Sequence, residues 1–539
     1  MFAQQLPAAA VVAFLAVAQQ AAPPVQHQHE TGRPPQQLGT VNFETSCDPA
    51  FRADFNRAVA LLHSFWFGAS ATAFTAVGEK DPSCGIAWWG VAMSRWGNPF
   101  APARPVAQIE QGRTAITKAR TVGAKTERER DLIEAAAALF TDFEKVDHRT
   151  RIVAYEKAMN GVRQKNPNDP EIAAFYALAL NQTMVPTDKS YAVQLKAAAI
   201  LEDLYKRFPD HPGMPHYLIH AYDHPPLAER ALPAARAYAK IAPDAPHALH
   251  MPSHTFTRVG HWQDSIETNR ASADAARKAN SAAEVLHAFD YQVYAYLQTG
   301  QDAAAQKVMT ELKATVAAVN TAEQYGQVGY YADVAIPARI ALERSDWAAA
   351  AALPTRSTNF AYIDAMTHFA RAIGAARGGQ VAAAKADVDK LAELRDKLAA
   401  AKDEYWSQQV DIQHKAASGW IAFAEKREAD AIKLMHDAAN TEDATDKSAI
   451  SPGPLAPARE MLGEMLLELK QSQHALVELE AVMKKEPHRF RTYYHAARAA
   501  TAVGDKAKSA QYYKHLVDMC PKGDASRKEL AEARKHAKS

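Results

Sequence analysis

The chain has 539 residues, a formal net charge of +1 and 48% hydrophobic content. That length exceeds what one compact core can use, so several domains or an extended repeat array are expected. The near-neutral balance gives no electrostatic basis for binding nucleic acid or an anionic membrane, and neither is expected as a partner.

In chain order, "MFAQQLPAAAVVAFLAVAQQAAPP" contains an apolar run from Leu6 to Ala18, too short to span a bilayer as a helix. Ala16-Val17-Ala18 offers a small-x-small cleavage site, so residues 1–18 read as a secretory signal peptide, although no Lys or Arg precedes the run. Residues 19–45 are rich in Gln, Pro and His and read as a disordered linker. No later segment has the length and apolarity of a membrane span. A soluble, exported protein, periplasmic or extracellular, is the expectation. Export would permit a Cys47–Cys84 disulfide; two free thiols are the alternative, and Cys520 is left over.

From residue 46 onward a repeat is legible. Near the start, Ala58, Leu61, Ser70, Phe74, Val77 and Pro82 fit the spacing of a helical hairpin. Near the end, "LGEMLLELKQSQHALVELEAVMKKEP" places Leu462, Gly463, Leu466, Ala475, Leu479, Val482 and Pro487 at the offsets of the tetratricopeptide pattern. Each such hairpin cannot bury its apolar stripe alone, and small residues at the contacts let neighbours stack into a continuous core. Strand signals are nearly absent. The reading is an all-α solenoid of tetratricopeptide type, a right-handed superhelix with a concave groove, over 46–439. A loop insertion follows at 440–457, then a C-terminal repeat pair with a terminal helix at 458–539.

The register locates the unusual residues. Pro209 ends one repeat, and Gly260 and Gly300 mark the turns inside later ones. Counting from these landmarks, His216, His220, Asp223 and His224 fall on groove positions of one helix. His247, His250, His254 and Arg258 take groove positions of the next, and His287, Asp290 and Tyr294 those of a third. His63 and Trp89 are assigned to the groove by the same counting. Histidines four apart share a helical face and can reach one ion.

His216, His220, His224, His250, His254, His287 and Asp290 are therefore candidate ligands for a divalent transition metal, Zn, Cu, Fe or Ni. Asp223, His247, Tyr294, Arg258, His63 and Trp89 are further candidate contacts for a peptide, protein or small molecule in the groove. If there is chemistry, Asp223 or Asp290 could act as general base and Arg258 could steady an oxyanion. H-E-x-x-H, G-x-S-x-G, Walker A and Rossmann glycine motifs are missing. Three functions stay open: a metal-assisted binding protein, a hydrolytic or oxidative metalloenzyme, and a metal-free scaffold of the cell envelope. Because groove positions face solvent, alanine at one of these histidines is expected to cost little folding energy.

Between Thr40 and about Val517 the chain resembles a family of large bacterial tetratricopeptide proteins, through "LGTVNFETSC", "LLHSFWF", "HALHMPSHTFTRVG", "HAFDYQVYAYLQTG" and "PGPLAPARE". The resemblance implies the solenoid fold and export, and leaves the activity open.

Overall fold

The computed structural model describes residues 36–101 and 104–537, so the signal-peptide segment and most of the expected linker lie outside the described residues. Among the described residues there are helices and turns and no strand. From Gln37 onward the chain forms one unit, a solenoid of antiparallel helical hairpins. The first pair is Arg52–His63 with Phe67–Lys80; the last full pair is Phe490–Ala502 with Lys506–Met519, capped by Lys528–His536. No described helix is long and apolar enough to cross a membrane.

The local causes are those of a repeat. Small residues sit where helices press together. A Cβ at Gly90 would come within 2.4 Å of Phe74, and one at Gly463 within 2.6 Å of Leu479. Hairpins close through left-handed residues, with Gly260 at φ +71° and Gly300 at +66°. Side-chain caps start several helices: Asp169 accepts from the amides of Glu171 and Ile172, with Pro170 in the first turn.

Two boundaries differ from the sequence reading. Part of the expected linker is built into the core: Leu38, Val41 and Phe43 are buried, and Phe43 lies 5.3 Å from Phe55 and 5.5 Å from Trp89. The Thr40 amide donates to the Asp210 carbonyl, and the amides of Gln37 and Phe43 donate to the side-chain oxygens of Asp244 and Asn56, fastening this strap. Three buried apolar side chains outweigh the polar composition around them. The insertion also starts later than expected, because the helix Glu428–Asp443 runs through its first residues. Cys47 and Cys84 form a disulfide, and Cys520 is free and buried.

The C-terminal hairpins turn back onto the middle of the chain. Trp262 Nε1 donates to the His488 carbonyl at 2.7 Å, and the amide of Asp524 donates to the Gly300 carbonyl at 2.9 Å. The loop 444–457 enters the concave face. Arg339 donates to the carbonyls of Gly453 and Pro454, both at 2.9 Å, and Tyr291 Oη lies 3.1 Å from the carbonyls of Ala449 and Ser451.

Candidate functional site: two buried histidine triads

That loop changes the nature of the groove. His216, His220, His250, His254 and His287 are all under a tenth exposed, and the solvent-facing groove expected from the register is closed. The expectation that alanine is cheap there is therefore wrong for these positions. The structure brings these rings together, but beneath a lid contributed from more than 150 residues away, which the register could not foresee.

Two helices supply most of the site. Gly213–Ala221 presents His216 and His220 one turn apart. The second is broken at Pro252, which has no amide hydrogen to continue the ladder, into Pro246–His250 and Pro252–Arg258. His247 and His250 precede the break and His254 follows it. Ala282–Gln298 adds His287.

The rings sort into two groups. His216, His220 and His247 each offer a ligand atom within 4.8 Å of the others, and so do His250, His254 and His287. In the first triad His216 Nδ1–H donates to the His63 carbonyl at 2.6 Å, which leaves its Nε2 as a bare lone pair. The Nε2 atoms of His216, His220 and His247 are all buried without a hydrogen-bond partner. In the second triad His250 Nδ1–H donates to Asn269 Oδ1 at 2.7 Å. The Asn269 amide is fixed in that orientation because its Nδ2 donates to the Ser265 carbonyl at 2.7 Å. His254 Nδ1–H donates to Asp223 at 3.0 Å. Both Nε2 atoms are then lone pairs, yet they face each other at 3.1 Å.

Electrostatics keep five of these rings neutral. Burial, reinforced by neighbouring imidazoles, holds His216, His220 and His250 well below the usual range. Burial pushes His254 down to about 4 against the pull of Asp223, and His287 down to about 3 against Glu284. Neutral imidazole is the ligand form.

Around them sits an orienting shell. Burial pushes the Asp223 carboxyl upward, but Lys447, Arg258 and His254 outweigh it and hold the group well below the usual carboxylate range. It receives Arg258 Nε at 2.8 Å and faces Lys447 Nζ at 3.5 Å. So engaged, it steers His254 and is ill suited to act as a base. Glu284 lies 3.9 Å from His247 Nδ1. Phe65 packs on His216 with ring centroids 4.3 Å apart, and Phe100 on His220 at 4.4 Å. His220, His247, His254 and His287 together wall a cavity of about 80 Å³, which Phe100, Trp406 and the loop residues Ser448 and Ile450 also line.

Several expected residues lie outside the triads. His224 is bound to Asp446 of the loop at 2.7 Å. Asp290 faces Arg339 Nε at 2.7 Å and belongs to the loop anchor, with burial raising its carboxyl despite that partner. Tyr294 accepts from Arg489 at 2.7 Å. Trp89 is core, wedged near Phe43, Phe74 and Phe175. His63 is also inside. Its Nε2–H donates to Glu171 at 2.9 Å, its Nδ1 accepts from Tyr217 Oη at 2.8 Å, and His211 holds the second Glu171 oxygen at 3.0 Å. Every atom of that network is satisfied without an ion, so it is a scaffold whose product is the placed His63 carbonyl. His247 moves the other way, from general groove contact to triad member.

Asn269, Glu284, Tyr291 and the loop residues Asp446 and Lys447 were missed. Glu284 and Tyr291 stand three residues before and four after His287, a helical spacing that could have found them. The loop residues carry no local signal.

No family model matches the chain, and no curated protein matches it. Among solved structures, the human IFIT1 dimer with m7Gppp-AAAA is 13% identical, over 81% of this chain and 90% of that one, with a TM-score of 0.39. The human IFIT1 dimer with PPP-AAAA is 11% identical, over 80% and 90%, with a TM-score of 0.33. The likeness is one of helical-repeat fold alone. Fold and site together define a tetratricopeptide-type solenoid with a histidine-lined interior.

Proposed function

We propose that this chain binds transition-metal ions in its closed hollow through His216, His220 and His247 and through His250, His254 and His287. One observation carries the reading: three partnerless Nε2 atoms meet in one triad, and two lone pairs oppose each other at 3.1 Å in the other. A buried polar atom left unpaired costs about 1–3 kcal/mol, so the first triad alone would forfeit about 3–9 kcal/mol. That is comparable to the whole stability of a domain. Coordination offsets it, since apparent binding energies of buried zinc reach about 10–16 kcal/mol. The shell of His63 carbonyl, Asn269 and Asp223 is the kind that fixes ligand tautomers.

Zn, Cu, Ni and Fe all accept imidazole. A small molecule reacting at the metal is the second reading, favoured over a bound peptide or nucleic acid by the small size of the cavity, about 80 Å³. The Cys47–Cys84 disulfide supports an oxidising, extracytoplasmic setting.

The test is elemental analysis of the full chain purified without an affinity tag. At least one equivalent of transition metal is expected, falling in the His250→Ala/His254→Ala double variant. A chain that neither retains nor takes up metal overturns the reading.

A further inference from the structure

Resting on that reading, we infer that the two triads work as one dinuclear copper-type centre, with the cavity between them taking a small anion that bridges both ions. Three observations carry it.

The triads are contiguous. Across them, His220 and His254 have centroids 6.1 Å apart and His247 and His250 6.0 Å, whereas His220 and His247, within one triad, are 6.5 Å apart. His247 and His250 also lie on the same single helical turn, one in each triad, so neither ion's ligand set can move without the other's.

The cavity is common to both. Two of its imidazoles, His220 and His247, come from the first triad and two, His254 and His287, from the second. Its volume of about 80 Å³ suits a ligand of a few atoms.

The charge is unbalanced. Imidazole binds a metal ion as a neutral ligand, and the Asp223 carboxylate is committed to Arg258, Lys447 and His254. Glu284, 3.9 Å from His247 Nδ1, is a further carboxylate beside the triads; one such group leaves most of the charge of two divalent ions uncompensated, which is costly in a buried site. A bridging hydroxide, azide or similar anion supplies compensating charge where the cavity lies. Copper heads the affinity order for nitrogen ligands, and Met251, with a soft thioether, is part of the cavity wall.

The experiment loads metal-free full-length chain with copper(II) alone and follows stoichiometry by native mass spectrometry and spin count by electron paramagnetic resonance, before and after adding azide. Two coppers per chain are expected, with an integrated signal well below two spins and a new charge-transfer band on azide addition. His247→Gln, and separately His216→Ala/His220→Ala, should each leave one copper with a full one-spin signal, circular dichroism confirming the helical fold. Two coppers with two full, azide-insensitive spins would overturn the dinuclear centre while leaving metal binding intact. No copper uptake at all would overturn both.

Discussion

His250 and His254 bring their Nε2 atoms to 3.1 Å although each ring already spends its only N–H on Nδ1, one toward Asn269 and the other toward Asp223. Two lone pairs at that separation repel unless a cation lies between them, and burial keeps both rings from supplying a proton. The site is therefore strained toward metal, and this has consequences for stability, affinity and lid behaviour.

Metal should stabilise the fold by mass action. At free metal 100-fold above Kd, each site adds about 2.7 kcal/mol. Urea unfolding followed by circular dichroism should show a higher midpoint for the loaded protein than after chelation. Coincident curves would contradict the coupling of these triads to folding.

Asp223 orients His254 without touching the ion. Asp223→Asn should preserve the helices and weaken metal affinity by about 10–100-fold, as loss of an orienting carboxylate does. Competition against a chromophoric chelator measures it; unchanged affinity would show that Asp223 serves only to bind Arg258 and Lys447.

Arg339, fully buried, holds Asp290 and three groups of the loop, the Ser451 hydroxyl and the carbonyls of Gly453 and Pro454. Arg339→Met should cost about 3–5 kcal/mol by stranding the Asp290 carboxyl and should open 444–457 to limited proteolysis. Adding Asp290→Leu should recover much of the stability while the loop stays cleavable. A double variant as unstable as the single would mean the loss is one of packing.

The metal-free protein should weaken in mild acid. Burial and the guanidiniums of Arg104 and Arg151 push His148 down to about 4 against Asp147, and burial lowers His495 despite Glu464. The unfolded chain takes up a proton at each near pH 6.5, the folded chain only below that. Their contribution is thus intact above about pH 6.5 and is lost as pH falls toward 4. The slope is at most about 1.4 kcal/mol per pH unit per ring, and less for the partly exposed His148. Urea midpoints at pH 7 and pH 5 should differ, and His148→Gln should narrow the gap. Equal midpoints for wild type would contradict the sign.

Much of this was legible in the chain. Pro209 and the turn glycines Gly260 and Gly300 set the repeat phase that put His216, His220, His247, His250, His254 and His287 on one side of their helices, and these rings come together in the structure. Spacing was enough because helical periodicity is local. What spacing could not give was partnership across sequence. Asp290 and His224 were assigned as ligands from their faces alone, but Arg339 lies 49 residues from the first and Asp446 222 from the second. The same distance hid the loop that turns an open groove into a buried chamber. Trp89 failed differently: its groove side is covered by Phe43, in a segment whose Gln- and Pro-rich surroundings masked its three apolar anchors.

X-ray absorption at the metal edge of the loaded, untagged protein tests the central claim most directly. Nitrogen scatterers at about 2.0–2.1 Å with the outer-shell pattern of several imidazoles per ion are predicted, and they should be lost in the His216→Ala/His250→Ala variant. A first shell of sulfur or carboxylate oxygen, or a spectrum that the histidine substitutions leave unchanged, would contradict it.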